Sequence, residues 1–193
     1  MGGEAVRCVD ARWRWSVMAR RWWSIRVDLV EGGGDTIWPR PGRVFAAARM
    51  HSFAALATAI DDAFARWDRA HLHEFELADG TRIGQPDPTD PELAPELLDT
   101  AAVRLSRLQP GQQFVYVFDL GDRWTHLCTV GPARIDPLDE LGIHPATPLP
   151  YAGWGTIPDQ YGRHFDHDDD QTEPPPDPDL TDLPPLRPRW GRR

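Results

Sequence analysis

The sequence predicts an α+β fold, with a small mixed or antiparallel sheet covered by one main helix. Three observations carry this. Trp23, Ile25, Val27 and Leu29 alternate with polar residues, the period of a half-buried strand. Phe53, Leu56, Ile60, Phe64 and Trp67 recur at spacings of three and four, the period of an amphipathic helix. Phe114 to Leu120 and Arg123 to Val130 form the longest pair of strand-like runs, with Gly121-Asp122 between them. Strands before and after a lone helix argue for α+β, in a β-grasp-like arrangement, over an alternating α/β order.

The elements follow in order. Residues 1–21 mix arginine and tryptophan without a period and read as a flexible leader, with Met18 as an alternative start of translation. The first strand, Trp23 to Val30, breaks at Glu31-Gly-Gly-Gly-Asp35. Ile37-Trp38-Pro39-Arg40-Pro41-Gly42 is a stiff connection, because neither proline can donate to a ladder. Arg43 to Met50 is a second strand, and Ser52 is placed to cap a helix of about four turns. His73 to Leu77, Asp79-Gly80 and Thr81 to Gly84 read as a hairpin with a tight turn. Residues 85–100 carry Pro86, Pro88, Pro91 and Pro95 among acids and form a surface loop. Val103-Arg104-Leu105 precedes a Pro110-Gly111 turn.

A domain over 22–135 is therefore expected. It is followed by a partly ordered extension over 136–165, whose aromatics from Tyr151 onward pack back on the domain. Residues 166–193 are an acidic, proline-rich tail, too polar to bury a core.

Composition narrows the function classes. The formal net charge is −9. Residues 1–135 hold 16 arginines against 18 acids, and residues 136–193 hold 5 against 12, so the tail carries most of the charge. An acidic balance disfavours a protein whose main work is gripping nucleic acid backbone. Every basic residue other than histidine is arginine, and the absence of lysine removes Schiff-base and P-loop lysine chemistry. Cys8 and Cys128, 120 residues apart, make no disulfide framework and no thiol metal knuckle. No apolar run has the length of a membrane span. A cytoplasmic setting without membrane contact is expected.

The hairpin around Gly121 carries the most chemical information. A two-residue turn at 121–122 places Asp119 opposite Trp124 and Val117 opposite His126. Alternation then puts Asp119, Trp124 and His126 on one face, and Phe114, Tyr116 and Phe118 on the other, beneath the helix. A carboxylate beside an imidazole fixes its tautomer and raises its basicity. Asp119 and His126 are thus the candidate catalytic pair, and they serve equally well as a structural polar pair closing the sheet. His71 and His73 share one side of an extended segment, a spacing that can bind a transition metal. Asp119, Asp122 or His126 would supply the further ligand. A divalent metal at His71, His73, Asp119 and His126 is the one cofactor the residues offer, and none is otherwise predicted.

Several stretches occur together in a recognisable order: Ile37-Trp38-Pro39-Arg40, Trp67-Asp68, His71-Leu72-His73-Glu74-Phe75, Val103-Arg104-Leu105-Ser106 and Asp119-Leu120-Gly121-Asp122-Arg123-Trp124-Thr125-His126. The chain from about Trp22 to Val130 resembles the plasmid pRiA4b ORF-3-like family, sometimes labelled transposon passenger proteins of TnpR type. Gly153-Trp154-Gly155 and Pro158-Asp159-Gln160-Tyr161-Gly162 resemble the later part of some members. The resemblance implies a small α+β domain of plasmids, mobile elements and chromosomes. It also marks Trp38, Arg40, His71, His73, Glu74, Asp119, Asp122, Trp124 and His126 as motif residues. The TnpR label implies site-specific recombination. This chain lacks the arginine-rich nucleophilic serine site and the basic helix pair of a serine resolvase, its only serines being Ser16, Ser24, Ser52 and Ser106.

The reading preferred on these grounds is a non-enzymatic interaction or regulatory module with a protein partner. A metal-dependent hydrolase using His71, His73, Asp119, Asp122 and His126 is the first alternative. A single-stranded nucleic acid binder using Trp38, Trp124 and the leader is the second.

Overall fold

The structure, a computed structural model, describes residues 22–86, 96–143 and 145–162. The expected leader over 1–21, the tail over 166–193 and part of the 85–100 loop lie outside the described residues.

Nine strands form one sheet, over which a single long helix packs. They are β1 (Trp22–Gly32), β2 (Asp35–Thr36), β3 (Gly42–Ala48), β4 (His73–Leu77), β5 (Arg82–Gly84), β6 (Leu98–Asp99), β7 (Gln113–Phe118), β8 (Trp124–Arg134) and β9 (Leu149–Trp154). The helices are α1 (Phe53–Ala63) and a short α2 (Pro137–Leu141). The spatial order is β6-β5-β4-β7-β8-β1-β3-β9, with β2 paired to β1. Among the described residues, only β5 and β6 pair in parallel. The fold is α+β with strands dominant.

Helix α1 starts where the sequence places it. The Ser52 side chain accepts a hydrogen bond from Ala55 N, satisfying one of the free donors of the first turn. Phe53, Leu56, Ile60 and Phe64 are fully buried against Phe75, Phe114, Tyr116 and the β1 residues Ile25 and Val27. Phe53 meets Phe75 edge to face at 5.0 Å. The helix ends earlier than its stripe. Ala65 takes φ 53°, the chain turns out of the helix, and Trp67 is carried onto a different neighbour.

The central hairpin departs from the expected register. Phe118 pairs with Trp124, Val117 with Thr125 and Tyr116 with His126, one residue away from the prediction. The connection is five residues long, 119–123, rather than two. Asp119 and Arg123 both adopt left-handed backbone, at φ 57° and 54°. The Asp119 carboxylate accepts from Gly121 N at 2.9 Å and Asp122 N at 3.3 Å, and Arg123 N closes on Asp119 O at 2.7 Å. An aspartate that bonds its own following backbone tolerates this conformation. A shift of one residue turns a strand over. Trp124, His126 and Cys128 therefore join Phe118, Tyr116 and Phe114 on the buried face.

Strand β9 comes from the expected extension and pairs with β3, from Gly42↔Trp154 to Ala46↔Leu149. Its sequence, Leu149-Pro-Tyr-Ala-Gly-Trp154, lacks alternation and carries a proline, which an edge strand tolerates. Two glycines make room for indoles. A Cβ on Gly42 would overlap the Trp154 indole, and one on Gly32 would overlap the Trp124 indole.

Gly32→Ala is expected to cost about 1–3 kcal/mol, the range for overfilling a packed site. Urea unfolding followed by tryptophan fluorescence reads this directly, because the displaced group is Trp124. An unchanged midpoint would show that the indole does not need that space.

Candidate functional site

Strands β1, β7 and β9 finish, and β3, β4 and β8 begin, at one end of the sheet. The connections there are 33–41, 64–72, 119–123 and 155–162. Every stretch of the sequence fingerprint except Val103–Ser106 reaches this end. That stretch sits beside the N-terminus of α1, where Phe53 N donates to Val103 O.

The outer part of the site is a polar relay. His71 Nδ1 lies 3.1 Å from Asp119 Oδ2, and His71 Nε2 lies 2.8 Å from the Tyr161 hydroxyl. That hydroxyl donates to Asp68 Oδ2 at 2.8 Å. The bond to Asp68 pushes the Tyr161 phenol up to about 12. Asp68 is held below its ordinary value first by the backbone N–H of Ala70 and then by Tyr161. Asp119 N donates to Leu72 O, which ties the 119–123 loop to the chain entering β4.

The inner part is buried. Arg66 is 0% exposed, and its guanidinium carbon stands 3.8 Å from the centre of the Trp124 ring. His126, also 0% exposed, lies between the Phe64 ring at 4.7 Å and the Tyr116 ring at 5.5 Å. Burial, and next the Arg66 charge, push its imidazole down to about 3, so it is neutral near pH 7. The Tyr116 hydroxyl donates to Asp61 Oδ1 at 2.7 Å. Burial pushes the Asp61 carboxyl up to about 7, against the pull of the Tyr116 hydrogen bond and of Arg69.

The residues singled out by sequence divide between these two parts. Asp119 meets His71 and not His126, because the five-residue loop separates the carboxylate from the face that His126 occupies. The expected shared face of Asp119, Trp124 and His126 is thus not formed. His71 and His73 also part company. His73 faces inward against Tyr116 and Phe75, at 5.9 and 6.4 Å, where burial lowers its basicity. Glu74 forms a two-point ion pair with Arg82 at 2.6 and 2.7 Å. Asp122 offers its backbone carbonyl to Gly33 N. Trp38 is 81% exposed, with the Arg40 guanidinium 5.9 Å from its ring. Among the described residues, no three His, Cys, Asp or Glu side chains gather in a way that could hold a metal ion.

Sequence reasoning missed Asp61, Arg66 and Tyr161. Asp61 had a legible signal, since it stands four after Ala57 and three before Phe64, on the apolar stripe. Tyr161 lay in the aromatic extension expected to pack back on the domain, but its place in the site was not marked; Arg66 had no signal, because the turn at Ala65 brings it in.

The family model described as plasmid pRiA4b ORF-3-like protein matches residues 23–153. The chain belongs to that family. No curated protein matches it. Among solved structures, the crystal structure of a protein of unknown function, MM3350 from Methanosarcina mazei Go1, is similar. The TM-score is 0.53, the identity 21%, and the match covers 71% of each chain. That likeness is one of fold. In this ORF-3-like domain, residues 154–162, which complete the relay, lie beyond the family match.

Asp61 and His126 oppose each other in their effect on stability. A carboxyl raised by folding contributes stability that is whole below its ordinary 3.8 and is lost as pH rises towards about 7. An imidazole lowered by folding contributes stability that is whole above its ordinary 6.5 and is lost as pH falls towards about 3. The natural chain is expected to lose stability relative to Asp61→Asn from about pH 4 to about pH 7, by at most roughly 1.4 kcal/mol per pH unit. His126→Gln is expected to show the opposite trend over about pH 3 to 6.5. Urea melts at fixed pH measure both, and a gap independent of pH would show that the group titrates alike in both states.

Proposed function

We propose that this ORF-3-like domain is a non-enzymatic interaction module that meets a protein partner in the cytoplasm with the end of the sheet carrying Trp38. The exposure of Trp38 carries the reading. An indole that is 81% exposed, just before Pro39 and beside Arg40, costs little further ordering when it is covered. Tryptophan and arginine are the residues that most often anchor protein interfaces. Leu72, Leu120 and Tyr161, at 55, 47 and 47% exposure, belong to connections at the same end.

The polar fingerprint supports this reading in a second way. Asp119, His71, Asp68 and Tyr161 spend their hydrogen bonds on one another, which joins the connections 64–72, 119–123 and 155–162 at this end. The hydrolase alternative would need His126 and Asp119 together at a solvated position. Family membership favours a regulatory setting on a plasmid or another mobile element.

A photo-cross-linking residue placed at Trp38 tests the proposal, with Gln109 at the opposite end as the control position. One discrete protein adduct from position 38, absent from position 109 and competed by the unmodified domain, is expected. Nuclease-sensitive adducts at position 38 would replace the proposal with nucleic acid binding. Equal labelling from both positions would overturn it.

A further inference from the structure

Residues 158–161 form a strap over the Arg66–Trp124 stack. Arg66 Nη2 donates to Pro158 O at 3.1 Å. Trp67 Nε1 donates to Asp159 Oδ2, and the backbone N–H groups of Trp67 and Asp68 both donate to Gln160 Oε1, each at 3.1 Å. Gln160 Nε2 returns a bond to Asp68 O at 3.2 Å, and the Tyr161 hydroxyl reaches Asp68 and His71. All these contacts join two short segments, 66–71 and 158–161, and almost all are polar. A cover fastened by hydrogen bonds that water can replace opens at lower cost than one fastened by packed apolar groups.

Beneath this strap the donors outnumber the acceptors. Arg66 Nε and Nη1, Trp124 Nε1 and both ring nitrogens of His126 are buried without a hydrogen-bond partner among the described residues. The arginine nitrogens and the indole can only donate, and a neutral imidazole offers one donor and one acceptor. The missing complement is therefore oxygen lone pairs. It also carries charge. A guanidinium at 0% exposure, with two of its three nitrogens unbonded, is costly to bury unless an anion is close. Asp61 and Asp159 are near enough for their charges to act on Arg66, yet Asp61 gives its oxygens to Tyr116 and Arg69. Stacking on Trp124 holds the guanidinium plane and leaves its edges for in-plane acceptors.

We propose that Arg66 and Trp124 form a binding site for a small oxyanion, a carboxylate or a phosphate group, with the 158–161 strap as its cover. An oxyanion at the edge of the stack takes hydrogen from the indole and from the guanidinium together. The site is separate from the Trp38 surface, and each can fail without the other.

The test uses the full chain at constant ionic strength, with inorganic phosphate and acetate as separate probes and chloride as the reference salt. One probe is expected to raise the melting temperature saturably, by about 5 °C or more at roughly 100 times its dissociation constant. Which probe acts decides between phosphate and carboxylate. Arg66→Met is expected to abolish the shift. Trp124→Phe keeps the stack, removes one donor, and is expected to weaken binding about 10-fold. The second variant decides the matter if the first does not fold. No shift with either probe, or a shift unchanged in Trp124→Phe, would overturn the proposal.

Discussion

The carboxylate of Asp119 governs more of this molecule than its size suggests. By capping Gly121 and Asp122 it holds a five-residue connection whose two end residues lie in left-handed backbone. The length of that connection sets the pairing of β7 with β8. The pairing in turn decides that Trp124, His126 and Cys128 go into the core. The other carboxylate oxygen binds His71, so the same side chain also fixes the chain entering β4. Loop, register and relay thus share one anchor, and each would relax if it were lost.

The interior beside this anchor is unusually polar. Tyr116 gives its hydroxyl to Asp61, Arg66 lies over Trp124, and His126 fills the space between two aromatic rings. Such groups cost more to bury than apolar ones of the same shape. They gather towards the end of the sheet that most of the family motifs reach. The apolar work is done elsewhere, by Phe53, Leu56 and Ile60 against Phe75 and Phe114.

Local pattern was a good guide to the elements and a poor one to their meeting points. The β1 alternation, the Ser52 cap and the Asp79-Gly80 turn were legible because each is decided within a few residues. Gly80, at φ 80°, occupies its turn as the dipeptide predicts. The hairpin register was not legible, because Gly121-Asp122 looks like a complete turn until the Asp119 backbone is known. Strand β9 was hidden by Pro150 and by the absence of alternation at a half-exposed edge. Of the site, His71 and Asp119 were each visible alone. The partnership of Arg66 with Trp124 depends on a turn at Ala65 that no residue type announces.

The two margins of the sheet bear on how the protein behaves in a crowded solution. One margin is β6, only two residues long, and the other is β9, interrupted by Pro150. Among the described residues, neither presents a long row of open backbone groups for another chain to pair with. A nine-stranded sheet built largely from β-prone sequence would otherwise invite stacking into fibres. A two-residue strand and an edge proline are features that discourage such pairing.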